Sequence, residues 1–332
     1  MASEANGRTY LSLLQSCDNF PYDTVPSDTY YLLILPNDDQ PHGYLLPEIV
    51  QKIPWTSQFH VNHNAPRTVT VLDSSEGKDT AGAVNAAFAE VINICIEKNL
   101  FHILDGKHSE PFAIVSAKYP VHMERFASAL FGIISRGACT TAYTKTADGT
   151  LKLWIARRAA HLYTSPGMLD ITVAGGVKAG SRPIDTVIHE ADEEASLPEA
   201  LVRERVRSVG VLTYITATGL DFPGEKGLII PDVLYIHDLE LPSDVTPKPN
   251  DDEVDTFYSM TVDEVQKALL NREFKPDSAA VLIDFFIRHG IITADNEKDF
   301  IELNERDGKN IELEVDHHSQ LEQLNRMNRA PD

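Results

Sequence analysis

The chain has 332 residues, 42% of them hydrophobic and 24% charged, an ordinary globular make-up with length enough for two domains. Its 50 acidic and 29 basic side chains leave a net charge of −21, which repels nucleic-acid backbones and anionic lipid and argues against both as partners. Three scattered cysteines, no basic leader followed by an apolar run, and no stretch near the roughly 20 apolar residues of a membrane span are what a cytoplasmic protein is expected to show.

Tyr30 to Leu35 reads as a buried strand stopped by Pro36. From Asp79 to Lys98, Val84, Ala87, Phe88, Val91, Ile92 and Cys95 recur at helical spacing. Val121 to Phe131 is expected to form a second helix, with Met123, Phe126, Ala127 and Leu130 on one side. Strands mixed with helices suggest a small α+β unit over residues 1–130. A second domain is expected over 131–300. In it Leu151 to Ala156 follows the hairpin signal Asp148-Gly149, and Asp170 to Val173 leads into a glycine-rich turn. Pro183 opens a helix running to Ser196. Val209 to Thr216 and Val233 to His237 read as strands. Thr261 with Glu264 forms a capping-box pattern, and Ala279 to His289 is a helix ended by Gly290. Residues 301–332 read as a polar tail without periodicity, and His317 and His318 there are not expected to bind metal. Cys139 reads as a small packing residue.

The stretch GGVKAGSRPIDTVIHEADEEASL, residues 175 to 197, carries the chemistry. Glu190, Glu193 and Glu194 are spaced i, i+3 and i, i+4, which places them on one helical face. Like charges so placed repel unless a cation lies among them, and oxygen ligands suit Mg²⁺ or Mn²⁺. The missing side chains of Gly175 and Gly176 would let their backbone approach metal and phosphate. A diphosphate also needs cationic partners, for which Arg157 and Arg158 are candidates. They end a strand, so alternation turns at most one of them toward the site. Arg182 reads as a surface residue.

The same stretch resembles the Nudix pattern G-x5-E-x7-R-E-U-x-E-E-x-G-U, where U is apolar: Gly175 fits the first glycine, and Glu190, Glu193 and Glu194 fit the acidic helix slots. Ser181, His189 and Ser196 depart from it, standing where a glutamate, an arginine and a glycine belong. FGI at 131–133, LWIARR at 153–158, SPGMLDITVAGG at 165–176, DLELPSDVTPKPNDDEV at 238–254 and FKPDSAAVLIDFFIRHG at 274–290 are similar to the fungal and plant thiamine-pyrophosphokinase-related Nudix subfamily. The resemblance implies an α/β/α sandwich with a mixed sheet, preceded by a smaller α+β domain that helps shape the organic pocket. It implies a metal-dependent pyrophosphohydrolase converting thiamine diphosphate or an analogue to monophosphate and phosphate. It also implies a distant acid, Glu253, as general base or further ligand. Two alternatives stand beside this. One is an isoprenoid diphosphate as substrate, suggested by a less polar pocket wall at Ala159, Ala160, His161 and Leu162 and at residues 138–143, where relatives carry cations and an amide. The other is a catalytically weakened Nudix-fold binding protein, suggested by Ser181 and His189.

Overall fold

The computed structural model of the chain describes residues 8–22, 29–104, 110–220 and 222–306. Helix α1 spans Tyr10–Cys17. The strands β1 (Tyr31–Ile34), β2 (Pro41–Leu45), β3 (Phe59–Asn62) and β4 (Thr68–Val71) form a sheet of order β2-β1-β4-β3. Only the β1–β4 pair in it is parallel. Helix α2 (Pro47–Lys52) follows β2. The sheet is covered by α3 (Thr80–Glu97), whose start is set by Asp79: its carboxylate accepts the Gly82 N–H at 3.0 Å. All six apolar positions expected on its inner face are buried. Phe88, Phe59 and Phe131 pack edge-on or tilted in this first core.

The segment expected as a helix over 121–131 divides in two. Residues His122–Glu124 form β6, paired with β5 (Pro111–Ala113), and only Ala127–Phe131 is helical, as α4. Met123 is buried between an exposed His122 and a half-buried Glu124, so the local period is that of a strand. Glu124 Oε2 then accepts the Ala127 N–H at 2.7 Å, marking the change to helix.

A larger mixed sheet follows. It contains β7 (Ser135–Lys145), β8 (Leu151–Arg158), β9 (Leu169–Asp170), β10 (Val173–Gly176), β11 (Val206–Ala217), β12 (Ile229–Glu240) and β13 (Val254–Thr261). The order is β11-β12-β7-β8-β13, with β10 on β7 and β9 on β8. β12 and β7 run parallel, and the other strand pairs are antiparallel. Helices α5 (Pro183–Ala195) and α6 (Glu199–Arg205) cover one face, burying Val187, Ala191 and Val202 against Ala138, Val173 and Tyr235. Helices α7 (Val262–Leu270) and α8 (Pro276–Arg288) cover the other, where Leu153, Ile155 and Ile236 meet Val281 and Phe285. The result is the expected three-layer α/β/α sandwich around a mixed sheet, preceded by an α+β region. The Thr261–Glu264 capping box is present in both of its bonds.

Two segments depart from the chain-order expectation. Helix α1 packs on α8, with Leu13, Leu14 and Cys17 in the second core rather than the first. Phe300–Arg306 forms a helix, α9, in what was expected to be an aperiodic tail: Leu303 is only 1% exposed and joins that same core. Phe300 packs against that core as well, and these apolar side chains at the head of a polar stretch are too few to show a period in the sequence. His317 and His318 lie outside the described residues.

Candidate active site

Helix α5 begins at Pro183, where a missing N–H costs nothing. Arg182, just before it, gives both Nε and Nη2 to Asp185 at 2.8 Å and stays at the surface. The buried stripe Val187, Ile188, Ala191 and Ala195 fixes the rotation of the helix against the sheet. That rotation grades the acids: Glu193 is exposed, Glu190 half-buried, and Glu194 only 7% exposed. The Glu194 carboxylate accepts the Ala174 N–H at 3.1 Å. Burial first, and then the charge of Glu190, hold it well above the usual carboxylate range. Burial also pushes Glu190 up to about 7, helped by Glu193, Glu253 and Glu110, with Lys178 opposing. These carboxylates lie close enough to raise one another's proton affinity despite Lys178, a state that a bound cation relieves.

The glycine pair is not a turn. Gly175 and Gly176 lie within β10, opposite Ala138 and Gly137 of β7. The turn comes later, at Gly180, whose φ is +81°. What the pair supplies is close approach. A Cβ at Gly175 would fall inside the carboxyl group of Glu190, and one at Gly176 would stand 2.7 Å from Cζ of Phe112. Gly175→Ala is therefore expected to fold, because the Glu190 side chain can swing away. It should lose on the order of 10²-fold in hydrolysis, since catalytic geometry tolerates about 1 Å of displacement poorly. Steady-state rates alongside a melting curve would check this.

Glu253 is brought in by a loop tied to the same helix. The Lys248 N–H donates to the Ala195 carbonyl and Asn250 Nδ2 to the Asp192 carbonyl, both at 3.0 Å. The Glu253 carbonyl accepts the Ala159 N–H at 2.8 Å. Glu253 and Glu194 thereby line a cavity of about 10 Å³, room for about one water, together with Arg158, Asp170 and Thr172. The two arginines separate as strand alternation requires. Arg158 turns to the cavity and pairs with Asp170 at 3.0 Å while also donating to the carbonyls of Ser165 and Thr164. Arg157 leaves the other way, donating to the Gly167 carbonyl and lying over the Tyr258 ring. Asp170 was not singled out from the sequence. It is buried, bonded to Arg158 and Ser278, and adds a further acid beside Glu194.

The residues fit a divalent cation. Ligand atoms of His189, Glu190 and Glu193 all lie within 4.8 Å of one another, and Glu194 and Glu253 stand behind them. The sequence placed Glu190, Glu193 and Glu194 together. The structure puts Glu194 on the inner side of the group and His189 on the outer.

The α+β region closes the site from one side. The Ala179 N–H donates to the Pro111 carbonyl at 2.8 Å. Glu110 bridges Arg125 and Lys178 at 2.8 and 3.1 Å, which raises the Lys178 ammonium above its usual value. Phe112 rests on Gly176. Residues 138–142, read as a pocket wall from the sequence, are instead buried in β7 between the two cores. Cys139 is free and fully packed, and burial raises its thiol far above normal. Among the described residues no helix is long and apolar enough to cross a membrane.

Comparison with known proteins agrees with this geometry. An uncharacterized protein of Saccharomyces cerevisiae is 36% identical over 204 residues, 60% of this chain and 60% of that protein. The chloroplastic Nudix hydrolase 20 of Arabidopsis thaliana is 34% identical over 224 residues, 66% of this chain and 56% of its own length. The chain thus spans less than two thirds of either relative. Among solved structures, a Nudix hydrolase from M. smegmatis is 16% identical with a TM-score of 0.35, covering 47% of this chain and 87% of that one. The family model for the NUDIX domain matches residues 139–283, the stretch that holds β10, α5 and the Glu253 loop. That match takes in the helix acids and most of the larger sheet, so residues 139–283 are similar to the NUDIX domain.

Proposed function

We propose that the chain is a metal-dependent pyrophosphohydrolase that cleaves an organic diphosphate to a monophosphate ester and phosphate. One observation carries the reading: Glu190, Glu194 and Glu253, from a helix and a distant loop, converge closely enough to raise the proton affinity of the two helix acids. Bound Mg²⁺ or Mn²⁺ would supply charge neutralisation at phosphorus and a more acidic water. Glu190, Glu193 and Glu194 would hold it, with the Gly175 backbone close by. Glu253, which lines the same cavity, would accept a proton from the attacking water. Arg158, held in place by Asp170, gives the cavity wall a fixed positive charge toward the diphosphate. In this reading residues 131–300 carry the chemistry, and residues 1–130 supply the Phe112 hairpin that bounds the organic group.

The organic group we favour is of the thiamine type, on the strength of the motifs outside the acidic helix. The isoprenoid alternative keeps its support from the stretch after Arg158, while residues 138–143, its other support, are core. A panel of thiamine, nucleotide and isoprenoid diphosphates, scored by product mass with and without Mg²⁺ or Mn²⁺, tests the reading. Metal-dependent release of phosphate and thiamine monophosphate is the expected outcome. Tight binding of a diphosphate without turnover would instead identify a binding protein.

A further inference from the structure

His189 stands one residue before the first helix acid, where the Nudix pattern has an arginine. Its Nδ1 lies 3.1 Å from Glu193 Oε2, four residues on, a spacing that puts both side chains on one helix face. Glu190 completes a group whose ligand atoms are mutually within 4.8 Å. The outer pair is half-exposed, at 56% and 53%, so an ion reaches it without rearrangement of the fold. The inner member, Glu190, reaches the group through the space that the absent side chain of Gly175 leaves open. One nitrogen and two carboxylates are thus gathered around a common point, with the outer two within hydrogen-bonding distance of each other. A cation bound between His189 and Glu193 gains a nitrogen ligand that an arginine cannot offer, since guanidinium has no lone pair to give.

We propose that His189 is a metal ligand in this chain, and that it biases the site toward transition ions such as Mn²⁺, Co²⁺ and Zn²⁺ over Mg²⁺. This rests on the reading above that the helix acids bind divalent ions. Imidazole suits first-row transition ions, whereas Mg²⁺ keeps to oxygen and water. The competing role for His189 is a charged clamp that merely orients Glu193. That role would set a positive charge where the ion belongs and would weaken binding of every divalent ion alike.

The full chain, loaded with less than one equivalent of Mn²⁺, is examined by pulsed electron paramagnetic resonance for ¹⁴N coupling. Mg²⁺, Mn²⁺, Co²⁺ and Zn²⁺ affinities are measured by calorimetry on the wild type and on His189→Gln. The expected result is a ¹⁴N modulation that His189→Gln removes. Co²⁺ and Zn²⁺ affinity should fall by about 10- to 100-fold, while Mg²⁺ affinity changes less than about threefold. Mn²⁺ bound without ¹⁴N coupling, or with a coupling that survives in His189→Gln, overturns the inference and leaves the carboxylate site standing. Mn²⁺ bound no better by the wild type than by Glu190→Gln overturns both the inference and the reading beneath it.

Discussion

Glu194→Gln is expected to cut diphosphate hydrolysis by on the order of 10²- to 10³-fold, the scale of removing one electrostatic stabiliser from an enclosed site. The same substitution should raise the melting temperature of the metal-free protein. Glu194 is the most enclosed of the helix acids, with Glu190, Asp170 and Glu253 as charged neighbours. Its carboxylate accepts a hydrogen bond from the Ala174 N–H. A glutamine keeps that acceptor and the shape of the side chain, and it removes a charge that burial and three nearby acids disfavour. Opposite signs on activity and stability are the mark of a residue kept for function. Calorimetry and steady-state kinetics on one preparation decide it. A variant that is both less stable and less active would point to Glu194 as a structural acid.

The second expectation concerns pH. Burial and like charges raise Glu190 from an ordinary carboxylate value to about 7. A raised folded-state pKa stabilises the native state while the group is protonated in it, and that stability is lost as pH rises through the folded value. Between about pH 5 and pH 8 the metal-free protein should therefore lose on the order of 3 kcal/mol through Glu190 alone, at 1.36 kcal/mol per unit. Glu194, shifted in the same direction, adds to the loss. A divalent ion binds the ionised carboxylates and should restore stability at pH 8 with little effect at pH 5. Asp232 is also pushed up to about 7 by burial, but its charged neighbours are Asp277 and Lys275 rather than the helix acids. Its share of the pH dependence should persist when metal is present. Denaturant titrations at pH 5 and 8, in chelator and in Mn²⁺, measure both parts. Metal-free stability that stays flat or climbs over this range would contradict the burial argument.

Much of the local structure was legible because it depends on near neighbours in the chain. The inner face of α3, the Thr261–Glu264 cap and the extent of α5 from Pro183 follow from spacing and capping chemistry within a few residues. The helix expected over 121–131 failed because its strand β6 exists only by pairing with β5, about ten residues earlier. Helix α1 shows the same limit at longer range. Its sequence is unremarkable, and only packing against α8 assigns it to the second core.

By itself the sequence determined which acids share one helix face, since three glutamates at helical spacing face one way in any α-helix. It also implied that only one of Arg157 and Arg158 turns to the site, since strand alternation is local geometry. Only the tertiary structure decided how the acids differ. It buries Glu194, leaves Glu193 in solvent, presses Glu190 into the gap at Gly175, and brings Glu253 and Asp170 to the same cavity. The reason is physical: a carboxylate's identity is set by spacing along the chain, but its proton affinity is set by the dielectric and the charges around it, and those come from segments far apart in sequence.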